Sequence, residues 1–73
     1  MDHKKYLIII EHSEDGSYSA YAPDLPGCVA VGQDSAGQAK QLMREAIEAH
    51  IQGLLEDGES VPEPTTEAEY VVA

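Results

Sequence analysis

Positive charge is scarce in this chain. Four lysines and arginines face fourteen aspartates and glutamates among 73 residues, for a formal net charge of −10. A protein that grips nucleic acid uses cations to displace counterions from the phosphates, and only Lys4, Lys5, Lys40 and Arg44 could serve. Direct binding of DNA or RNA by the chain alone is therefore not expected. An anionic membrane surface is disfavoured for the same reason. Cysteine is scarcer still. With Cys28 alone, no intrachain disulfide can form. Long apolar runs are missing too: the longest, Tyr6 to Ile10, is far too short to cross a bilayer. There is no secretion signal, because Lys4 and Lys5 lead into only five apolar residues before Glu11. A lone thiol without such a signal fits a reducing, cytoplasmic compartment. The three histidines, His3, His12 and His50, lack the paired spacing of a zinc site, so neither metal nor cofactor is expected.

What is present bounds the rest. Residues 1–73 make one small domain, which buries only about 60% of the surface that its unfolded chain exposes. Domains of this size need a staple, and without disulfide or metal a partner or self-association is the expected one. The acidic surface favours a basic partner, because opposite charge steers encounter. At 42% hydrophobic residues, the composition is not that of a disordered chain.

The elements follow from local patterns. Lys4 to His12, KKYLIIIEH, is β-branched and too short for a typical helix, so it reads as a strand. Leu7 to Ile10 is apolar at every position, which predicts cover on both faces: a central strand, or an edge strand buried in an oligomer. Asp15-Gly16 is a hairpin signal, because Gly supplies the positive φ that these turns need. Ser17 to Ala22 alternates, with Tyr18, Ala20 and Ala22 on one face, and Pro23 ends it. Cys28 to Val31 reads as a third strand. Ser35 with Gln38 matches a capping box. Ala36, Ala39, Leu42, Met43, Ala46, Ile47, Ile51, Leu54 and Leu55 then recur with helical period. Gly58 is the expected C-cap of a helix of about 22 residues, roughly 33 Å long. The segment VPEPTT is extended and stiff, and Glu69 to Val72 is expected to form a last strand. The expected architecture is α+β, a small β-β-β-α-β domain with the helix packed on one face of a mainly antiparallel sheet.

No catalytic constellation emerges. Cys28 has no base placed for it and reads as a buried small hydrophobe. Ser13 and Ser17 beside His12 lack a nucleophile elbow. Gly16, Gly27 and Gly32 match no phosphate-binding loop. His50 reads as a packed helix residue, and Lys40 with Arg44 as a solvated helical pair.

Three features taken together resemble one family: a hairpin followed by Pro23-Asp24-Leu25-Pro26-Gly27-Cys28, a Gly32-x-Asp34-Ser35 helix start, and a Glu45-Ala46 pair within the helix. Over about Tyr6 to Val72 the chain resembles the HicB family, antitoxins of HicA–HicB toxin–antitoxin pairs. The resemblance implies a partial ribonuclease-H-like domain of β-β-β-α-β order, without enzymatic activity. It also implies a partner, a small basic HicA-type toxin that cleaves mRNA and whose active surface the antitoxin covers. Longer members carry a C-terminal DNA-binding domain, helix-turn-helix or ribbon-helix-helix, and none is expected in these 73 residues.

The candidate partner-binding residues are Glu11, Glu14, Asp15 and Asp24, expected at one end of the sheet, or the acidic helix end at Glu56, Asp57 and Glu59. Pro23 to Cys28 is expected to be structural. Two other readings stand beside this one: a self-associating domain of unknown partner, and a Mg-dependent ribonuclease-H-like nuclease built on Asp24, Glu11 and Asp15. Under all three, a homodimer or higher homo-oligomer is expected through the sheet edges or the helix-free face.

Overall fold

The computed structural model describes residues 4–32 and 34–73 of the chain, so His3 lies outside the described residues. Three short strands, β1 (Ile9–His12), β2 (Tyr18–Tyr21) and β3 (Val29–Gly32), precede one helix, α1 (Ala36–Glu56). The strands form an antiparallel meander in the order β1-β2-β3. The first hairpin closes over Glu14-Asp15-Gly16. The Gly16 amide donates to the Ser13 carbonyl at 3.1 Å and the Ser13 amide to the Ser17 carbonyl at 2.9 Å. Gly16 takes φ 91°, the left-handed residue with which a three-residue hairpin loop ends.

Between β2 and β3 the chain makes two consecutive turns. The Leu25 amide donates to the Ala22 carbonyl across Pro23-Asp24, and the Cys28 amide donates to the Leu25 carbonyl across Pro26-Gly27, both at 3.0 Å. In the second, Pro at the first central position and Gly27 at φ 83° are the residues that a type II turn selects. The double turn drives the Leu25 side chain into the core, where it is fully buried.

β1 is an edge strand, and its ladder is shorter than the apolar run Leu7 to Ile10 suggests. Ile9 pairs with Tyr21 and Ile10 with Ala20. Continuing that register would set Leu7 opposite Pro23, which has no N–H to give. The helix begins as expected. The Ser35 side chain accepts from the Gln38 amide at 3.0 Å, while Gln38 Oε1 accepts from the Asp34 amide at 3.1 Å. At the other end, Gly58 at φ 71° lets its own amide reach the Leu55 carbonyl and the Glu59 amide reach the Leu54 carbonyl, the paired bonds of a Schellman cap.

The core is one layer between sheet and helix. Ala20, Ala22, Leu25, Cys28, Ala39 and Met43 are buried, with Tyr6, Ile8, Tyr18, Ala30, Ala46 and Ile47 packed around them. Gly32 marks the closest approach: a Cβ there would lie 2.8 Å from the Ala39 amide nitrogen. Only the first half of the helical stripe, at Ala39 and Met43, is fully covered, and Leu42 and Leu55 remain exposed. The dimensions explain this. Four-residue strands run about 13 Å, whereas 21 helical residues run about 32 Å.

The expected last strand does not form. Glu69 to Val72 has no strand structure, and its side chains are exposed. The chain after α1 is held by side chains upstream of that segment. Lys4 Nζ pairs with Glu63 at 2.8 Å, the Tyr6 hydroxyl donates to the Pro62 carbonyl, and Asp24 binds Thr65 and Thr66. Past Thr66 the segment makes no hydrogen bond or ion pair with the sheet among the described residues, and the Cα radius of gyration is 13.6 Å, against about 11 Å for a compact chain of this length.

Candidate functional site

With α1 on one side, the other side of the sheet is open. The register puts Ile9, Tyr21 and Val29 in one cross-strand row and Glu11, Ser19 and Val31 in the next. Both rows point away from the helix, because Ala20 and Ala30 point toward it. Val29 and Val31 are 64% and 60% exposed, and a branched apolar pair left in water at that level marks a surface that gains by being covered. Glu11 shares this face. Glu14 and Asp15 sit in the adjoining hairpin turn and are exposed. Asp15 Oδ1 accepts from the Ser17 hydroxyl at 2.7 Å and the Ser17 amide at 2.9 Å. These two bonds hold its carboxyl below the usual carboxylate range. On the helix side of the same hairpin, His12 and Tyr18 stack across the strands with ring centroids 4.4 Å apart.

Asp24 is elsewhere. It follows β2, whereas the Glu14-Asp15 turn precedes it, so residues 17–22 separate them by about 20 Å of strand. The structure thus gathers Glu11, Glu14 and Asp15 but not the fourth candidate. Asp24 instead clamps the segment after the helix. Its carboxylate accepts from the Thr66 hydroxyl and amide at 2.8 and 3.0 Å, and from the Thr65 hydroxyl and amide, both at 3.1 Å. Hydrogen bonds to the charged form, those from Thr66 first, hold its carboxyl below the usual range. Thr65 and Thr66 were not singled out by the sequence pattern, since two adjacent hydroxyls after a Pro-rich stretch have no distinctive spacing.

A nuclease on Asp24, Glu11 and Asp15 would need these acids together, and a strand length lies between Asp24 and the hairpin turn. Two-metal and one-metal phosphoryl chemistry needs carboxylates that converge. Among the described residues no group of three or more His, Cys, Asp or Glu side chains comes together to hold a metal ion. Cys28 is buried, and burial pushes its thiol pKa up, the opposite of what an activated nucleophile requires.

The second acidic candidate, Glu56, Asp57 and Glu59, caps the C-terminal end of α1 in full exposure. No basic residue occupies the last helical turn, so these acids lie against the negative end of the helix dipole. Among the described residues, no helix is long and apolar enough to cross a membrane.

Residues 6–73 match the family described as "HicB_like antitoxin of bacterial toxin-antitoxin system". A UPF0150 protein of Thermoplasma acidophilum is 38% identical over 63 residues, covering 86% of this chain and 90% of its own length. A UPF0150 protein of Synechocystis is 39% identical over 57 residues, 78% of this chain and 71% of its own. An uncharacterized 14.9 kDa protein of Haemophilus phage HP1 is 41% identical over 66 residues, 90% of this chain. The chain spans about half of that phage protein's length, 48%.

Proposed function

We propose, for a chain that belongs to the HicB-like antitoxin family of bacterial toxin–antitoxin systems, a role in neutralising a toxin by direct binding. The partner fitted to this surface is a small basic toxin of the HicA type, one that cleaves mRNA through a cationic surface. The observation that supports the reading is the open sheet face, on which the exposed Val29 and Val31 lie beside Glu11 at the acidic hairpin end. Apolar contacts there supply affinity, while the surrounding negative charge supplies speed and register of encounter. The net charge of −10 repels RNA, so a chain seated on the toxin's cationic surface excludes substrate by charge as well as by bulk. No proton transfer or bond cleavage by this chain is required.

Within this reading Glu11, Glu14 and Asp15 contact the toxin, whereas Asp24 acts by holding the chain after α1. The domain is a partial ribonuclease-H-like meander with its helix, cytoplasmic, and self-associated through a sheet edge. The test is co-expression with a small basic toxin of the HicA type. The expected outcome is rescue of growth and a purified complex that weakens in salt. Glu11→Lys combined with Val31→Asp should lose both rescue and complex while the fold, read by circular dichroism, persists. Rescue that is unchanged in this variant would refute the assignment of the face.

A further inference from the structure

We propose that the cleft between α1 and residues 4–8, the stretch leading into β1, binds an acidic, extended peptide segment, and that its occupant is residues 67–72 of a second copy of this chain. The chain has four lysines and arginines in all, and Lys4, Lys5, Lys40 and Arg44 line this single cavity of about 710 Å³. Its floor is apolar, built from Ile8, Ile47 and Ile51. Lys4 is paired with Glu63. Among the described residues Lys5, Lys40 and Arg44 meet no acid within ion-pair distance. A molecule of net charge −10 has thus placed all four of its lysines and arginines around one concave site with an apolar floor, against a single lining acid, Glu48, a combination that suits an acidic segment carrying apolar side chains. A nucleic acid strand is the poorer fit, because the other faces of the same small molecule repel it.

The chain itself contains such a segment. In E-A-E-Y-V-V, Tyr70, Val71 and Val72 are 105%, 88% and 98% exposed. In extended conformation Glu67 and Glu69 share one side, and Ala68, Tyr70 and Val72 share the other.

The cleft also borders the sheet's free edge. The Ser13 amide bonds to Ser17, and the Ala22 amide bonds to Cys28. Bonded and non-bonded pairs alternate along antiparallel strands. Hence β2 directs its odd-numbered backbone groups to β1 and its even-numbered ones to β3. By the same count Ile9 and Glu11 bond toward β2, while Ile8, Ile10 and His12 turn their backbone N–H and C=O outward. An extended segment laid along that edge gains main-chain bonds. One register points Glu67 and Glu69 at Lys40 and Arg44 with Val71, on the same side, toward the apolar floor, and sends Ala68, Tyr70 and Val72 to the open face beside Ile9. In its own chain the segment is not captured: residues 67–73 are exposed, beyond the point where Asp24 holds Thr65 and Thr66 by four bonds, which leaves them free for a second copy. The exchange is reciprocal, as a closed two-fold dimer requires, and it does not depend on toxin binding.

The test uses the full chain and two charge reversals, Lys40→Glu with Arg44→Glu in the cleft and Glu67→Lys with Glu69→Lys in the tail. All four side chains are exposed, and circular dichroism checks that each variant keeps the helix. Sedimentation velocity should show a wild-type dimer, and each reversal alone should weaken it by roughly tenfold or more. An equal mixture of the two variants should dimerise again, because each tail then meets a cleft of opposite charge. Tyr70→Asp with Val72→Asp, which leaves every cation in place, should also weaken the dimer. A wild-type chain that stays monomeric at millimolar concentration, or a mixture that fails to dimerise, overturns the proposal. So does a labelled oligoribonucleotide that binds the wild-type chain and is lost only on cleft reversal, an outcome that gives the cleft to RNA.

Discussion

Replacing Gly32 with alanine should destabilise the domain, although glycine-to-alanine changes usually help. The added Cβ would lie 2.8 Å from the Ala39 nitrogen, 3.0 Å from its Cα and 3.2 Å from its Cβ. Two of these are helix backbone atoms, and no rotamer change can clear them. Either α1 lifts off β3 or the strand end bends. Overpacking of this kind costs about 1–3 kcal/mol. Loss of unfolded-state entropy returns about 0.4–1 kcal/mol, which leaves a net cost of roughly 1–2 kcal/mol. For a domain of this size that lowers Tm by about 5–15 °C. The matched control is Gly53→Ala, in the half-buried second half of α1, where a Cβ meets nothing within 4 Å. There helix propensity should add up to about 1 kcal/mol of stability. Urea denaturation followed by helix ellipticity, at one fixed protein concentration because any self-association adds to stability, reads both. The same chemical change should move the two midpoints in opposite directions with little change in slope. A Gly32→Ala chain as stable as wild type would refute the idea that helix and strand meet backbone to backbone at this point.

Other expectations are simpler to check. Asp24→Asn should loosen the chain after α1, so that limited proteolysis cuts within residues 63–73 faster than in wild type while the core resists. The Asp24 carboxyl is held below its usual value in the folded state, so its contribution is fully present above the unfolded pKa near 4 and is lost as pH falls through the lower folded one. The acid limb of a stability–pH curve should therefore flatten in Asp24→Asn below about pH 4. Cys28 is buried and its thiol is pushed up in pKa, so a disulfide reagent should label it slowly in the native protein and at once in urea. Met43, fully buried against the sheet, should cost about 2–5 kcal/mol on replacement by alanine. That loss is comparable with the whole stability of so short a chain, and thermal denaturation should show it largely unfolded at room temperature.

Local chemistry made most of this fold legible. The capping pair Ser35 and Gln38, the helical period through Met43 and Ile47, Gly58 as a C-cap and the alternation of Tyr18, Ala20 and Ala22 each depend on neighbours a few residues away, and each stands in the structure. The failure at Glu69 to Val72 has an equally physical cause. β-propensity reports what a pleated surface would accept, and a strand also needs a hydrogen-bonded neighbour, which the segment does not engage among the described residues of its own chain. The pairing of Asp24 with Thr65 and Thr66 spans more than forty residues and leaves no periodic trace. Lys40 and Arg44 read as a solvated pair because only their own helix was visible. The tertiary fold adds Lys4 and Lys5 to them. For the acids, Glu11, Glu14 and Asp15 were close in sequence and stayed close in space, while Asp24, across a full strand length, did not.

The fastening of residues 62–66 also sets an order of events in folding. The hairpin turns and α1 close through contacts a few residues apart, which form in microseconds. The bonds from Lys4 to Glu63, Tyr6 to Pro62 and Asp24 to Thr66 join residues 59, 56 and 42 positions apart, and each must wait until the meander and helix have brought its ends together. Those bonds belong to the native side of the barrier. Substitutions at Thr65 or Thr66 should leave the folding rate nearly untouched and speed unfolding instead, so this short polar strap governs how long the native state lasts rather than how quickly it is found.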